Sequence, residues 1–318
     1  MQLIYDLTLK AQYFGFSDVG VIQPNVSTGF ENYVDWLNHH YHGNMHYLAS
    51  ERAIQMRVDP SQLLENCRSI LVLTTHYYQG QWSTPVEDTP TGKVARYAWN
   101  DDYHDVLKSR CEQLVVWLAE TLGRQIGYKI YVDTGPLLER ALGQQAGIGW
   151  IGKNSMLISP KMGSYFLLSE ILLDIDLPTH LPFAKDYCGT CTRCIDACPT
   201  QAILPGKRSI DANRCISYQT IENKAEVPAE LTPLLNGWLF GCDICQDVCP
   251  WNRFAQPTTD PTFLPRIASG IPNIPLQDLL SQSAEQYQQA FRHSPLKRAK
   301  QAGLVRNARN LLSADVSD

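Results

Sequence analysis

CGTCTRCIDACP, residues 188–199, places four cysteines in a Cys-x2-Cys-x2-Cys-x3-Cys run that ends in proline. The run is typical of bacterial ferredoxins, in which three cysteines bind one 4Fe–4S cluster and the fourth binds a neighbouring cluster. Thiolates are soft ligands that suit iron, and the short spacings let one loop reach three corners of a cubane. The run therefore predicts a ferredoxin-like module with two 4Fe–4S clusters.

A second, incomplete cysteine motif follows at FGCDICQDVCPWN, residues 240–252. Its first ligand position falls on Leu239, and the remaining cysteine of the module, Cys215, can fill that place through a long loop. Because the last cysteine of each motif crosses to the other cluster, two ligand sets follow. Cluster one takes Cys188, Cys191, Cys194 and Cys249, and cluster two takes Cys198, Cys215, Cys242 and Cys245. Two structural zinc sites are the disfavoured alternative, because zinc spacings lack the run that ends in Cys-Pro.

The composition of the whole chain is that of a globular protein. It has 318 residues, of which 44% are hydrophobic and 19% are charged, enough for two domains. The N-terminal MQLIYDLTLK does not resemble a signal peptide, and the apolar stretch 165–173 is too short to span a bilayer. We therefore expect a cytoplasmic protein that does not associate with membranes.

The segments before the cysteine module alternate between helical and strand patterns. Helices are predicted at 3–14, 103–122 and 137–145, strands at 69–75 and 128–132, and further buried elements at 155–158 and 165–173. We expect an α/β or α+β domain over residues 1–180. A ferredoxin-like domain over 181–255 and a mostly helical C-terminal segment over 256–318 are expected to follow.

The stretch GIGWIGKN, residues 147–154, satisfies the G-x-G-x-x-G pattern. Nucleotide-binding motifs of this kind need a strand before them and a helix after them. Here a predicted helix precedes the glycines and an extended segment follows, so we reject nucleotide binding. The glycines indicate either a close backbone approach to something bulky or a tight turn.

Two features remain open from residue types alone. Asp133 follows a predicted strand and precedes a predicted helix, where it is either a ligand-site residue or a helix cap.

The net charge of −5 gives no general reason to expect nucleic acid. The range 292–312, however, holds six Lys or Arg residues and no acid, which indicates either a solvated helix face or a phosphate-binding surface.

Four stretches together resemble epoxyqueuosine reductase, the cobalamin-dependent iron–sulfur family of queuosine biosynthesis. They are RYA (96–98) with DYH (102–104), VDTGPLLERALGQQAGIGWIGKN (132–154), CGTCTRCIDACPT (188–200), and RCISYQTIE (214–222) with FGCDICQDVCPWN (240–252). The resemblance covers nearly the whole chain. It implies a nitroreductase-like cobalamin-binding domain and the reduction of epoxyqueuosine to queuosine at the wobble position of tRNA.

The resemblance also implies roles for single residues. Electrons pass from the clusters to cobalamin, and Asp133 donates a proton to the epoxide oxygen. Cobalamin contacts are implied for Arg96, Tyr97, Tyr103, His104, Gly147, Gly149, Trp150, Gly152, Lys153 and Asn154. The D-x-H-x-x-G signature of a histidine lower ligand lacks its glycine here, since Leu107 takes that position. We therefore predict base-off cobalamin with no protein histidine below the cobalt.

The partners follow from the same resemblance. Some members of the family continue past the stretch 294–312 into helical HEAT-like repeats, whereas this sequence stops at Asp318. We therefore expect Lys297, Arg298 and Arg306 to contact tRNA. We also expect that a separate electron donor supplies the electrons and that the enzyme is a monomer. Two alternative functions stay open: a cobalamin iron–sulfur reductase of a small molecule, such as a reductive dehalogenase, and a non-catalytic electron-transfer protein.

Overall fold

The computed structural model describes residues 2–25, 28–81, 89–266 and 271–314. Residues 267–270 and 315–318 of the predicted C-terminal segment lie outside this part. The helices are α1 (Gln2–Tyr13), α2 (Phe30–Asn38), α3 (Glu51–Val58), α4 (Tyr103–Leu122), α5 (Glu139–Gln145), α6 (Arg193–Asp196), α7 (Ile216–Ile221), α8 (Ile244–Asp247), α9 (Leu276–Ser281), α10 (Ala284–Phe291) and α11 (Lys300–Ala314). The strands are β1 (Asp18–Ile22), β2 (Ser69–His76), β3 (Thr91–Val94), β4 (Tyr128–Tyr131), β5 (Trp150–Ile151), β6 (Leu157–Ile158), β7 (Phe166–Leu173), β8 (Ile203–Leu204), β9 (Ser209–Ile210), β10 (Trp238–Phe240) and β11 (Asn273–Pro275).

Helix α4 shows why the local predictions succeed. It begins after Asp102, whose carboxylate accepts the backbone N–H of His104 at 3.2 Å as an N-terminal cap. It ends at Gly123, which adopts the left-handed conformation with φ +64°. The predicted helix at 137–145 starts later, at Glu139, because the chain turns through residues 132–138 first.

A four-stranded sheet with the order β1-β2-β7-β4 forms the centre of the first part of the chain. All its neighbouring strands run antiparallel, so this part is α+β. Side chains of β2 alternate between two cores, as the period of a strand requires. Leu71 and Leu73 pack with α1 and α4, whereas Ile70 and Val72 pack with α5 on the other face.

A second sheet joins three distant stretches of the chain. Its order is β10-β3-β11, and Lys93 of β3 pairs with Trp238 on one side and Asn273 on the other. These strands share a core with α9 and α11, to which Phe240 and Leu304 belong. The hydrophobic cores therefore do not follow the linear boundaries at 180 and 255, because β3 belongs to the core of the later segments.

Among the described residues, no helix combines the length and the apolar composition that crossing a bilayer requires.

Candidate active site

Asp133 lies just beyond the end of β4, on a turn that faces the start of α4. Its backbone is in the left-handed region, with φ +60°, which few residues other than glycine and asparagine or aspartate adopt readily. The carboxylate oxygen Oδ2 accepts the hydroxyl of Tyr103 at 3.0 Å and lies 3.3 Å from Nε2 of His104. Helix α5 starts later, with Leu138 at its N-cap position. Asp133 therefore does not cap α5, and its carboxylate, 61% exposed, points into an open site.

His104 is held between two carboxylates. Its Nδ1 lies 2.7 Å from Oδ1 of the buried Asp102, and its Nε2 lies near Asp133 on the other side. Partial burial opposes the charged imidazolium, but the hydrogen bonds and charges of both acids outweigh it and raise the pKa of His104 to about 9. The imidazole is therefore protonated at neutral pH and donates from both nitrogens.

The same contacts act on Asp133. Desolvation by neighbouring atoms raises the pKa of this carboxyl, but the hydrogen bond and charge of His104 and the hydroxyl of Tyr103 outweigh desolvation and hold the pKa below its usual range. In this arrangement Asp133 is ionised at neutral pH and accepts from the hydroxyl of Tyr103 and from the protonated His104.

Two cations from the far end of the chain border this site. Lys297 places Nζ 2.5 Å from Oδ2 of Asp102, and Arg298 forms two bonds with Glu222, at 2.7 and 3.1 Å. The charge of Arg298 also lowers the pKa of Asp133. About half of each side chain is exposed. The fold thus brings two of the predicted tRNA-contact residues to the rim of the Asp133 site.

The third predicted tRNA contact, Arg306, is placed elsewhere, and the structure corrects this prediction. Its guanidinium is buried and donates to the carbonyl oxygens of Gln219 and Asn223, each at 2.7 Å, and to that of Ala225. A buried guanidinium with these bonds cannot reach a phosphate. Charge counting missed this because it does not show which side of α11 faces the core.

The eight predicted cluster ligands fall into two neighbourhoods. Four of them, Cys188, Cys191, Cys194 and Cys249, line one cavity of about 210 Å³. Trp150 donates its indole N–H to Sγ of Cys188 at 3.4 Å, and Trp251 and Tyr187 also border this cavity. A cavity lined by four thiols is suited to a cubane cluster.

The other four cysteines surround the start of α7 and the turn before α8. Burial raises the pKa of the Cys215, Cys242 and Cys245 thiols, and nearby thiols of the same group raise it further. Cys198 acts on both Cys215 and Cys242. Within the described ranges, no trio of His, Cys, Asp or Glu is arranged to hold a single metal ion. Bound iron would supply the positive charge that these buried thiolates lack.

The glycine-rich stretch 147–154 contains β5, the first strand of the β5–β6 hairpin, and contacts the cysteine loops. A Cβ on Gly149 would lie 1.9 Å from the carbonyl oxygen of Ile158, so the close approach is to the protein's own backbone. Lys153 donates to the carbonyl oxygens of Gly189 and Cys191, at 2.8 and 2.9 Å.

The neighbouring side chains of this hairpin are engaged in the same way. Asn154 donates its amide to the carbonyl oxygen of Cys245 at 3.2 Å, and Trp150 is buried. Gly147 adopts φ +80°, and a Cβ on Gly152 would lie 2.5 Å from a methyl carbon of Ile158. The protein contacts of Trp150, Lys153 and Asn154 are therefore mainly to the cysteine loops, and the cobalamin contacts expected for this stretch stay a prediction.

Arg96 and Tyr97, although adjacent, are placed differently. The guanidinium of Arg96 donates to the carbonyl oxygen of Gly80 at 2.9 Å and lies 3.6 Å from the carboxylate of Asp247, with little exposure. The ring of Tyr97 packs edge-to-face on Tyr103, with centroids 6.0 Å apart. Arg96 thus ties a loop to the second cysteine motif, whereas Tyr97 belongs to the Asp133 site.

The second cysteine motif passes directly against Tyr97. A Cβ on Gly241 would lie 3.5 Å from that ring and 2.6 Å from the Cβ of Ala95. Gly241 precedes Cys242, and Tyr97 contacts Tyr103, which donates to Asp133. A short chain of contacts therefore connects the second group of cysteines with the Asp133 site.

Sequence reasoning missed two acids behind Asp133. Glu139 accepts the backbone N–H of Asp133 at 2.9 Å, and Glu170 is completely buried on β7. Burial and the charge of Asp133 raise the pKa of Glu139 to about 7, and burial beside Glu139 raises that of Glu170 much further. The signal was present, because Glu170 is the one charged residue of β7 and follows Ser169 within a run of apolar residues.

Family models match two parts of the chain. The model described as "Epoxyqueuosine reductase QueG, DUF1730" matches residues 57–134, and the one described as "4Fe-4S double cluster binding domain" matches residues 187–252. The second match confirms the predicted ferredoxin-like module with two 4Fe–4S clusters.

Relatives extend the likeness to most of the chain. An epoxyqueuosine reductase of Cyclobacterium marinum is 42% identical over 86% of this chain and 84% of its own length. A solved epoxyqueuosine reductase with an epoxyqueuosine-modified tRNA-Tyr stem loop superposes with a TM-score of 0.89 at 30% identity, over 98% of this chain and 81% of the other.

A second solved structure, from Bacillus subtilis, has its catalytic aspartate loop swung out of the active site. It superposes with a TM-score of 0.89 at 29% identity, over 98% of this chain and 82% of that one. These likenesses also confirm the predicted fold class, a mixed α and β domain followed by a double-cluster domain and a helical C-terminal segment. The chain therefore belongs to the epoxyqueuosine reductase family and is an oxidoreductase.

Proposed function

We propose that this protein reduces epoxyqueuosine to queuosine at the wobble position of tRNA, with Asp133 delivering a proton to the epoxide oxygen. The observation that carries the proposal is the open Asp133 carboxylate, held by Tyr103 and His104 at a site bordered by cations and adjoining a cysteine group. Two electrons and two protons convert the epoxide to an alkene, and the oxygen leaves as water.

The proton comes from the Asp133 and His104 pair acting together. His104 is charged at neutral pH and donates towards Oδ2 of Asp133, so the pair holds one proton beside the reacting oxygen. Asp102 keeps the ring oriented through Nδ1. Substrate that covers the site excludes water, which favours the neutral carboxyl and transfer of the proton from His104 to Asp133.

Cobalamin is the proposed cofactor of this site, and the residues present fit it. Next to Asp133, the partly exposed His104 stacks on the buried ring of Tyr103, which packs in turn on the partly exposed Tyr97, so an aromatic cluster borders the site. When bound, cobalamin supplies a low-valent cobalt centre for reductive C–O cleavage. Both nitrogens of His104 are already engaged by carboxylates, which supports base-off binding without this histidine as a lower ligand.

The eight cysteines are the proposed ligands of the two clusters, four to each neighbourhood as predicted. The cysteines proposed for cluster two adjoin Gly241 and Tyr97, so a cluster bound there would be the nearer one to the Asp133 site along the chain of contacts. The cysteines proposed for cluster one line a cavity with Tyr187 and Trp251, which are partly exposed. We infer that these residues would hold cluster one within reach of a separate electron donor, and that both clusters would supply electrons to the site.

Lys297 and Arg298 are the proposed tRNA contacts. They lie at the rim of the site, where phosphate contacts would position the anticodon loop while the flipped, modified base enters. The relative bound to an epoxyqueuosine-modified stem loop supports this class of substrate. With tRNA as substrate, the protein works in the cytoplasm, and we propose that it acts as a monomer.

Single-turnover reduction of epoxyqueuosine-containing tRNA tests the proposal. The protein is reconstituted anaerobically with iron, sulfide and cobalamin, and a strong reductant is added. We expect conversion to queuosine by the native protein and loss of conversion in Asp133→Asn, with iron and cobalamin contents unchanged. Full activity of Asp133→Asn would refute the proton-donor role. No conversion by the fully loaded native protein would favour a small-molecule reductase or an electron carrier.

A further inference from the structure

The turn that carries Asp133 is held from behind by one side chain. The backbone N–H of Asp133 donates to Oε1 of Glu139 at 2.9 Å, across a turn of six residues. Thr134 closes the same turn by donating its N–H to the carbonyl oxygen of Val132 at 2.6 Å. The N–H and the carboxylate of Asp133 belong to one residue with a left-handed backbone, so a contact that fixes this N–H also fixes the direction of the carboxylate.

Glu139 is in turn backed by a second acid. Glu170 stands on β7 opposite Tyr131 of β4, the strand that leads into the turn. It is fully buried, and among the described residues neither of its carboxylate oxygens has a hydrogen-bond donor if every acid is ionised. Burial raises the pKa of Glu170 well above its ordinary value, and the charge and hydrogen bond of Glu139 raise it further. A protonated Glu170 that donates to Glu139 would satisfy the buried acid and hold the Glu139 side chain under the turn.

We propose that Glu139, backed by Glu170, is a positioning residue that locks the Asp133 turn so that its carboxylate stays at Tyr103 and His104. This inference rests on the proposed function, in which Asp133 touches the substrate. Glu139 acts only through the backbone N–H of Asp133. In the Bacillus subtilis relative the catalytic aspartate loop is swung out of the active site. A contact that holds such a loop in place would therefore affect the position of the catalytic carboxylate.

The charges around Glu139 make its hydrogen bond with the Asp133 N–H depend on pH. It faces Asp133 from the turn, Glu170 from β7, Tyr103 from α4 and its neighbour Arg140 on α5. Burial and the charge of Asp133 raise the pKa of Glu139 to about 7, although the hydrogen bond with Glu170 lowers it, and the pKa of Glu170 is itself raised well above its ordinary value. Above that pH the ionised Glu139 is a stronger acceptor for the Asp133 N–H, so this hydrogen bond becomes stronger as pH rises.

Amide hydrogen exchange at Asp133, measured by NMR on the full chain, tests the contact without depending on activity. In Glu139→Ala we expect the Asp133 amide to exchange about ten-fold faster, the effect of losing one hydrogen bond. Glu139→Gln retains an oxygen acceptor and should preserve most of the protection, but without its change near pH 7. Glu51→Ala is the matched control, because Glu51 also opens a helix but is exposed, and among the described residues its side chain bonds Gln55 alone.

Single-turnover rates complete the test. Glu139→Ala should lower the rate at least ten-fold without changing tRNA affinity, and Glu139→Gln should restore most of it. Unchanged exchange at Asp133 in Glu139→Ala, or a Gln variant as slow as the Ala variant, would overturn the proposal. If the native protein does not convert the tRNA, the proposed function fails, while the exchange measurement still decides whether Glu139 holds the turn. The Gln variant keeps the size of the side chain, so it decides the matter if Glu139→Ala does not fold.

Discussion

Asp102→Asn removes a negative charge from beside His104 while keeping the shape of the side chain. Asp102 is 3% exposed and contacts the backbone N–H of His104, the Nδ1 of the same residue and Nζ of Lys297. Asparagine is also a good N-terminal cap, so α4 should still begin at Tyr103. The perturbation therefore isolates the electrostatic role of the carboxylate.

The size of the effect follows from the pKa of His104. The interval between about 6.5, its ordinary value, and about 9 corresponds to roughly 3 kcal/mol at 1.36 kcal/mol per pKa unit. Asp102 and Asp133 share this stabilisation, and Asp102 is the closer and more buried of the two. We therefore expect Asp102→Asn to cost about 2 kcal/mol of unfolding free energy at pH 6, and to lower the pKa of His104 towards its ordinary value.

The sign of the pH dependence is fixed by the raised pKa. A histidine whose pKa is higher in the folded state stabilises the fold fully below about pH 6.5, and this stabilisation is lost as pH rises through about 9. The difference in unfolding free energy between native protein and variant should therefore shrink between pH 6.5 and 9. The difference that remains at pH 9 is the contribution of the ion pair between Asp102 and Lys297.

Urea unfolding at several pH values and an NMR titration of His104 measure both quantities. Asp105→Asn serves as the control, because Asp105 lies in the same first turn of α4 but is exposed and forms no bond with His104. A His104 pKa that is the same in the Asp102→Asn variant as in the native protein would refute the reasoning. A stability difference that stays constant from pH 6 to 10 would refute it equally.

Three further predictions concern the corrected and the proposed sites. Arg306→Ala should lower the unfolding free energy by about 3 kcal/mol in urea, because it leaves buried carbonyl oxygens without donors; a loss below 1 kcal/mol would contradict the buried role. Arg298→Ala should weaken tRNA binding and reduce the salt dependence by about one phosphate contact, whereas Arg309→Ala, on the exposed side of α11, should not. Cys215→Ala should remove about half of the bound iron by chemical analysis, because only cluster two loses a ligand; iron content equal to that of the native protein would exclude Cys215 as a ligand.

Local signals were sufficient for much of the fold. Helix α4 has the predicted limits because a capping aspartate and a terminating glycine mark its ends in the sequence itself. The cysteine spacing predicted the double-cluster module because ligand geometry is local: three ligands of one cubane lie within a single loop. Asp133 was singled out because it follows a predicted strand, which left a ligand site or a helix cap open, and because the resemblance implied a role as proton donor.

Contacts between residues that are far apart in the chain could not be predicted from local sequence signals. Arg298 and Asp133 are far apart in the sequence, and their charges meet only because β3, β10 and β11 tie the last segment to the first. Arg306 was misassigned because its burial depends on which side of α11 packs against α7. Glu139 and Glu170 acquire their raised pKa values only when β7 and α5 enclose them together.

The sequence by itself therefore determined the cluster chemistry and the limits of the main helices and strands, and through the family resemblance it indicated Asp133 as the proposed reactive carboxylate. Only the tertiary structure decided which cations border the site, which acid fixes the Asp133 turn and which way protons are distributed around it. The physical reason is that ligand spacing and capping act over a few neighbouring residues, whereas burial and the energies of charges depend on atoms that the fold brings together from the whole chain.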